Sequence, residues 1–117
     1  MTKIVQLKLD EKTVVERCIQ ADRFGSRLIG LLNKKSITSQ EALILVPCDM
    51  VHTIVMRFPI DIIFVNREGL VLKIIENLKP TRIAARVPGA WAVIEAKSGM
   101  AEVLGIKPGL ALKWEQK

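Results

Sequence analysis

The sequence predicts a mainly β fold, a compact antiparallel domain of barrel-like or sandwich form, on three observations. Half of the 117 residues are hydrophobic, so the chain can bury a core and is not disordered. Its apolar residues fall into about nine short segments at near-regular spacing, separated by turn-forming residues. It lacks the strand–helix alternation and glycine-rich loop of Rossmann and P-loop proteins. The length suits one domain, and we expect residues 1–117 to form it.

The spacing of apolar residues places the strands in order along the chain. The predicted strands are 3–9, 13–19, 42–46, 51–58, 60–65, 70–75, 82–87, 91–96 and 110–114. Residues 66–69 (Asn-Arg-Glu-Gly) predict a hairpin between two of them. Residues 107–109 (Lys-Pro-Gly) predict a tight turn before the last strand.

Two segments favour helices. From Asp22 the apolar spacing becomes helical, which predicts a helix near 22–32 with Asp22 as its N-cap. Ser98 as cap and Gly105 as stop predict a shorter helix near 98–104.

Charge and cysteine content limit the classes of function. Eighteen Lys and Arg against twelve Asp and Glu give a net charge of +6, a balance seen in proteins that bind nucleic acid or anionic membranes. The basic residues are dispersed and aromatics make up 4 %, so we expect a solvated basic surface rather than a platform for nucleic acid. Cys18 and Cys48 are expected to stay as thiols. No segment has the apolar length of a membrane span or a signal peptide, so we expect a cytoplasmic protein.

Residues 47–61 are chemically unusual; they read Pro-Cys-Asp-Met-Val-His-Thr-Ile-Val-Met-Arg-Phe-Pro-Ile-Asp. The segment holds the only histidine of the chain and places Arg57 and Asp61 within apolar strands. Charged side chains are rarely buried unless they are paired. The segment therefore predicts either a polar site or a polar network.

The same segment resembles a known family. Residues 48–61, which read Cys-x3-His-Thr-x2-Met-Arg-Phe-Pro-Ile-Asp, are similar to the signature of the bacterial and archaeal domain-of-unknown-function family number 192. The similarity extends over about 21–112, and Leu110 stands where the family generally has Asp. Members are small and mainly β, and no activity is established for the family as a whole. The resemblance therefore implies a fold without implying a reaction.

The preferred interpretation is a small binding module with a polar site around the Cys48-to-Asp61 segment, at a mouth of the barrel. Its partner would be a small polar or anionic ligand, or a protein; we expect neither a membrane nor nucleic acid. The candidate ligand-binding residues are His52, Thr53, Arg57, Asp61, Glu95 and Arg82. The alternative interpretation of these residues is a satisfied polar network that fixes strand register, including a cis bond at Phe58–Pro59.

Two further functions stay open. One is a hydrolase that would use His52, Asp61 and Glu95, with the carboxylates in general acid/base roles. The other is a basic accessory protein that binds nucleic acid. Cys48 as a nucleophile or metal ligand beside His52 is disfavoured, because four residues of strand span about 13 Å. The sequence therefore predicts no metal and no cofactor.

Overall fold

The computed structural model describes residues 3–21, 37–52, 58–79 and 84–116. Their elements, in chain order, are β1 (Lys3–Leu9), β2 (Lys12–Ala21), β3 (Glu41–Leu45), β4 (Met50–His52), β5 (Ile60–Val65), β6 (Val71–Leu78), β7 (Ala84–Arg86), β8 (Ala92–Lys97), the helix α1 (Met100–Val103) and β9 (Leu112–Gln116). The mainly β class is confirmed. The helix predicted near 22–32 lies outside the described residues.

Seven strands form one curled sheet in the order β6-β5-β8-β3-β2-β1-β9, and β4 pairs with β7 in a small second sheet. Neighbouring strands are antiparallel, as predicted, except that β2 and β3 run parallel. A parallel pair needs a crossover connection of a dozen or more residues, and residues 22–40 separate the two strands in the sequence, which is long enough for one. The sequence pattern does not show this pairing, because a strand looks the same whichever way its neighbour runs.

The two edges of the large sheet meet at one end. Leu70 and Ala111 form a β-bridge, and the Leu112 N–H donates to the Gly69 carbonyl at 2.8 Å. Gly69 has φ +86°, and a Cβ there would lie 2.0 Å from the Leu112 carbonyl oxygen. Only glycine allows this approach. We call this contact, residues 69–71 against 109–112, the seam; it bends the sheet into a half-barrel.

The sheet buries a separate core on each face. The inner core takes residues from all seven strands: Val5, Leu7, Val15, Cys18, Ala42, Ile44, Ile63, Val65, Val71, Ala92, Ile94, Ala96 and Leu112, together with Ala101 and Ile106. The outer core lies against the other face: Ala21, Ile37, Leu43, Leu45, Cys48, Phe58, Ile60, Ile62, Phe64, Leu78 and Val93. Because both of its faces are covered, β5 is apolar at all but one of its positions.

The helix α1 is shorter than predicted and begins differently. Its N-cap position is taken by Gly99, which has no side chain to cap it, so the predicted cap at Ser98 is wrong. Its end is as predicted: Gly105 has φ +73°, and the Ile106 N–H donates to the Ala101 carbonyl at 2.9 Å. That bond spans five residues, as in the Schellman motif, which needs a left-handed residue just past the helix. In the part of the chain that the structure describes, no helix is both long and apolar enough to cross a membrane.

Both predicted turns are confirmed. The Asn66 N–H donates to the Leu70 carbonyl at 3.0 Å, which closes the hairpin between β5 and β6. The Leu110 N–H donates to the Lys107 carbonyl at 3.2 Å, and Gly109 at the third position has φ +94°. A proline followed by a left-handed glycine is the sequence that a type II turn favours.

The cis peptide bond is not where the polar-network alternative expected it. Among the described residues it lies at Val46–Pro47, whereas Phe58–Pro59 is not cis. Any bond that precedes proline tolerates the cis form, and the chain has five prolines. The sequence therefore could not choose between them.

Candidate functional site

Asp61 is fully buried and its carboxylate is occupied by main-chain donors. It accepts hydrogen bonds from the backbone N–H groups of Asn77 at 2.9 Å, Gly99 at 3.1 Å and Ala101 at 2.9 Å. The last two belong to the start of α1, where a helix leaves its first N–H groups unpaired. Asp61 thus takes, from a distant strand, the capping role predicted for Ser98.

A local irregularity of β6 supplies the third donor. The register between β5 and β6 shifts across Asp61, and Asn77 takes a left-handed conformation with φ +51°. Asparagine tolerates this conformation better than most residues, and such a bulge re-aims the backbone. The Ser98 hydroxyl donates to Asn77 Oδ1 at 2.7 Å and holds the bulge. The surroundings of Asp61 are therefore those of a structural anchor.

Glu95 lies in β8 on the outer-core face, where its cross-strand neighbours are Leu43 and Ile62. It is 2 % exposed, and among the described residues its Oε2 atom has no hydrogen-bond partner. Burial raises the pKa of Glu95 to about 7. Near neutral pH this carboxyl group can therefore carry a proton and either donate or accept a hydrogen bond.

Asp61 and Glu95 lie on opposite faces of the sheet. In the pairing of β5 with β8, Asp61 is opposite Ala96 and Ile62 is opposite Glu95. Successive side chains of a strand point to opposite faces, so Asp61 faces the inner core and Glu95 the outer. The carboxylate pair that the hydrolase alternative requires is therefore not assembled.

The other candidates are described in part or not at all. His52 is the last residue of β4, opposite Ala84 of β7; its backbone alone is described. Thr53, Arg57 and Arg82 lie outside the described residues, so their roles remain predictions.

The small sheet that carries His52 borders the outer core. Cys48, shortly before β4, belongs to this core, and Val87, directly after β7, packs against it. The Val87 N–H donates to the Asp49 carbonyl at 3.0 Å and ties the two strands together. His52 is therefore carried by a sheet on the Glu95 side of the molecule.

A small cleft borders the outer core at the end of β8; its lining includes Lys97 but not Glu95. It has a volume of about 160 Å³ and is lined by Ile37, Phe58, Pro59, Lys97 and Ser98. Lys97 follows Glu95 by two positions in β8, so the two side chains leave the same face roughly 7 Å apart. Lys97 is not among the candidates from the sequence. The two-residue period of a β-strand could have identified it, because this period places Lys97 on the same face of the predicted strand as Glu95.

Neither cysteine forms a disulfide, as predicted. Cys18 lies in the inner core, and burial raises the pKa of its thiol to about 12; a thiol with such a pKa is a poor nucleophile at neutral pH. The Cys48 thiol donates to the Met50 carbonyl at 3.0 Å. Within the described ranges, no three His, Cys, Asp or Glu side chains are grouped as metal ligands.

The model of the DUF192 family, described as "Uncharacterized ACR", matches residues 5–114. The chain belongs to the DUF192 family. The match is wider than the resemblance over about 21–112 and takes in most of β1 and part of β9, the two strands that complete the half-barrel. No curated protein matches the chain significantly.

Two solved structures share the DUF192 fold of this chain. One is a protein of unknown function from Novosphingobium aromaticivorans, 26 % identical, with a TM-score of 0.79; the match covers 95 % of this chain and 84 % of that one. The other is described as a candidate transcription regulator from Sinorhizobium meliloti, 19 % identical, with a TM-score of 0.80 over 97 % and 94 % of the two chains. Both likenesses support the fold, and neither brings an activity.

One departure from the DUF192 pattern leaves the fold intact. Leu110 stands at the closing turn where the family generally has Asp, and its side chain is 39 % exposed. Its carbonyl accepts the Val71 N–H at 2.8 Å. Because this seam contact uses main-chain atoms, it does not depend on the side chain.

Proposed function

We propose that this protein is a single-domain binding module rather than an enzyme, and that its ligand is a small organic acid that also carries a hydroxyl or amine group. The observation that carries the proposal is Glu95 Oε2, buried without a hydrogen-bond partner among the described residues. Leaving such a group unsatisfied costs about 1–3 kcal/mol, and a ligand that supplies the missing hydrogen bond recovers this cost.

The cleft at the end of β8, which contains Lys97 two positions beyond Glu95 on the same strand face, supports the size and charge of this ligand. Its volume of about 160 Å³ is below the roughly 300–1,000 Å³ of sites for drug-sized molecules. Lys97 at its rim offers an ammonium group for a carboxylate, while Glu95 offers a donor or acceptor for a hydroxyl or amine. Ile37 and Phe58 give the cleft apolar walls.

The proposal assigns different roles to the predicted site residues. Glu95 is kept as a ligand contact, Lys97 is added, and Asp61 is assigned to the fold. His52, Thr53, Arg57 and Arg82 stay candidates, because the sheet that carries His52 borders the same core. A cytoplasmic location, a protein partner and a nucleic-acid accessory role stay predictions.

Thermal unfolding with a panel of small hydroxy and amino acids tests the proposal. A ligand at about 100 times its Kd adds about 2.7 kcal/mol, which raises the Tm of a domain of this size by several degrees. We expect at least one acid to do so, with the shift lost in Glu95→Leu, whose side chain neither donates nor accepts a hydrogen bond, and reduced in Lys97→Ala.

The matched control is Lys73→Ala, which removes an exposed lysine from β6 and should leave the shift unchanged. The proposal is overturned if no acid in the panel raises the Tm, or if the shift is equally large in Glu95→Leu.

A further inference from the structure

A second cleft, of about 240 Å³, lies beside the seam, independent of the site around Glu95. Its walls come from the β5–β6 hairpin, from β9 and from the residue just before β8. It contains Trp91 and Trp114, the two tryptophans of the chain. In a chain with 4 % aromatic residues and no tyrosine, both indole rings are thus placed in one cleft.

Both rings are partly buried against the inner core and also line the cleft. Trp91 and Trp114 are nearly parallel, at 13°, with centroids 6.5 Å apart. Rings in full face-to-face contact would be separated by about 3.5–4 Å. At 6.5 Å the rings are either offset or spaced apart, and in both arrangements part of each ring face is free of the other. The part of each ring that lines the cleft is a stacking surface for a further planar ring.

Charged groups surround this surface. The Arg67 guanidinium lies 5.5 Å from the Trp91 ring centroid, and no ion pair to Arg67 occurs in the described part of the chain. Lys113, also in the cleft wall, pairs with Glu11 at 3.1 Å; both side chains are more than half exposed. Exposed pairs of this kind are weak, so an incoming anion can replace Glu11.

We propose that the seam cleft binds a nucleotide: the base stacks on Trp91 and Trp114, and the phosphate is held by Arg67 and Lys113. Arginine and lysine are the usual protein ligands of phosphate. Glu68 also lines the cleft and provides a carboxylate, the group that commonly accepts hydrogen bonds from ribose hydroxyls.

The size of the cleft limits the ligand to one nucleotide. Its 240 Å³ falls below the volume of sites for drug-sized molecules, and two rings accommodate one base. The nucleotide can be a free molecule or the end of a single strand, since both present the same base and phosphate.

Intrinsic fluorescence tests the proposal, because both tryptophans lie in the cleft and all indole emission reports on it. The protein is titrated with AMP, adenosine, inorganic phosphate and a short single-stranded oligoadenylate. We expect saturable quenching by AMP, at least about tenfold weaker binding of adenosine because the phosphate contacts are missing, and no quenching by phosphate alone. Oligoadenylate that binds more tightly than AMP identifies the strand end as the source; equal or weaker binding identifies the free nucleotide.

Variants separate the two halves of the site. Arg67→Ala keeps both rings and should weaken AMP binding about tenfold, whereas Trp114→Leu should remove most of the stacking. The matched control is Arg17→Ala, an exposed arginine of β2 outside the cleft, which should bind AMP like the wild type. The absence of saturable quenching by AMP and oligoadenylate, or an equal affinity in Arg67→Ala, overturns the proposal even if Trp114→Leu fails to fold.

Discussion

Asp61 and Glu95 lie on adjacent strands of one sheet and are both almost completely buried, yet their surroundings have little in common. Asp61 accepts three backbone N–H groups on the inner face. Glu95, on the outer face, has apolar cross-strand neighbours, and its Oε2 has no partner in the described structure. Burial alone therefore does not tell whether a carboxyl group has a structural role or is available to a ligand. The hydrogen-bond donors within reach of the carboxyl group distinguish the two cases.

The largest expected effect comes from Asp61→Ala. It leaves three N–H groups without their acceptor, that of Ala101 buried and those of Asn77 and Gly99 partly buried, and a buried orphaned group costs about 1–3 kcal/mol. We expect the free energy of unfolding, measured by urea denaturation, to fall by about 3 kcal/mol or more. Asp49→Ala is the control: Asp49 pairs with the exposed Arg86 at 3.1 Å, and its loss should cost about 1 kcal/mol or less. Equal losses in the two variants would contradict the assignment of Asp61 as the anchor of α1.

The next effect is a pH dependence carried by Glu95. Its pKa is about 7 in the folded protein, raised from 4.5 by burial, so between these values the folded state holds a proton that the unfolded state has lost. The free energy of unfolding therefore falls as the pH rises from about 4.5 through about 7, by about 3 kcal/mol in all.

Glu95→Gln isolates this contribution, because glutamine has a similar shape and does not titrate. Urea denaturation of both proteins at pH 4.5 and pH 8 should show the decrease in the wild type and a smaller one in the variant. The same pH dependence in both proteins would mean that Glu95 is paired in the folded state.

The smallest effect is expected for Ser98→Ala. Because Asp61 caps α1, the substitution removes the hydrogen bond from Ser98 to Asn77 but no helix cap. We expect a loss of about 1 kcal/mol or less and little change in amide hydrogen exchange within α1. A loss as large as that of Asp61→Ala would restore Ser98 as the main support of the helix.

Much of the fold could be predicted from local pattern. The strand 60–65 was predicted with the bounds that β5 has, because a short apolar run bounded by turn residues is typical of a strand covered on both faces. Gly105 predicted a helix end and Gly109 a turn, because glycine readily adopts a left-handed conformation. Both residues have positive φ in the structure. The parallel pairing of β2 with β3 could not be predicted, since it depends on a crossover and not on either strand.

The candidate site could be predicted only in part, because local pattern shows which charged residues lie in apolar strands but not how the strands pair. Asp61 and Glu95 were selected as charged residues in apolar strands, and both are buried. Their separation by the sheet was missed because it depends on the register between β5 and β8, which neither segment carries alone. Likewise, Trp91 and Trp114 are brought together by the seam and not by their spacing in the chain.

The sequence by itself determined the mainly β class, the turns, the family and the presence of buried charge, because hydrophobic period, glycine and proline act over a few residues. The tertiary structure alone decided which face each carboxyl group occupies, which donors reach it and which distant rings share a cleft. The physical reason is that strand register and the closure of the sheet are set by packing between segments far apart in the chain, and a single segment contains only its own half of each contact.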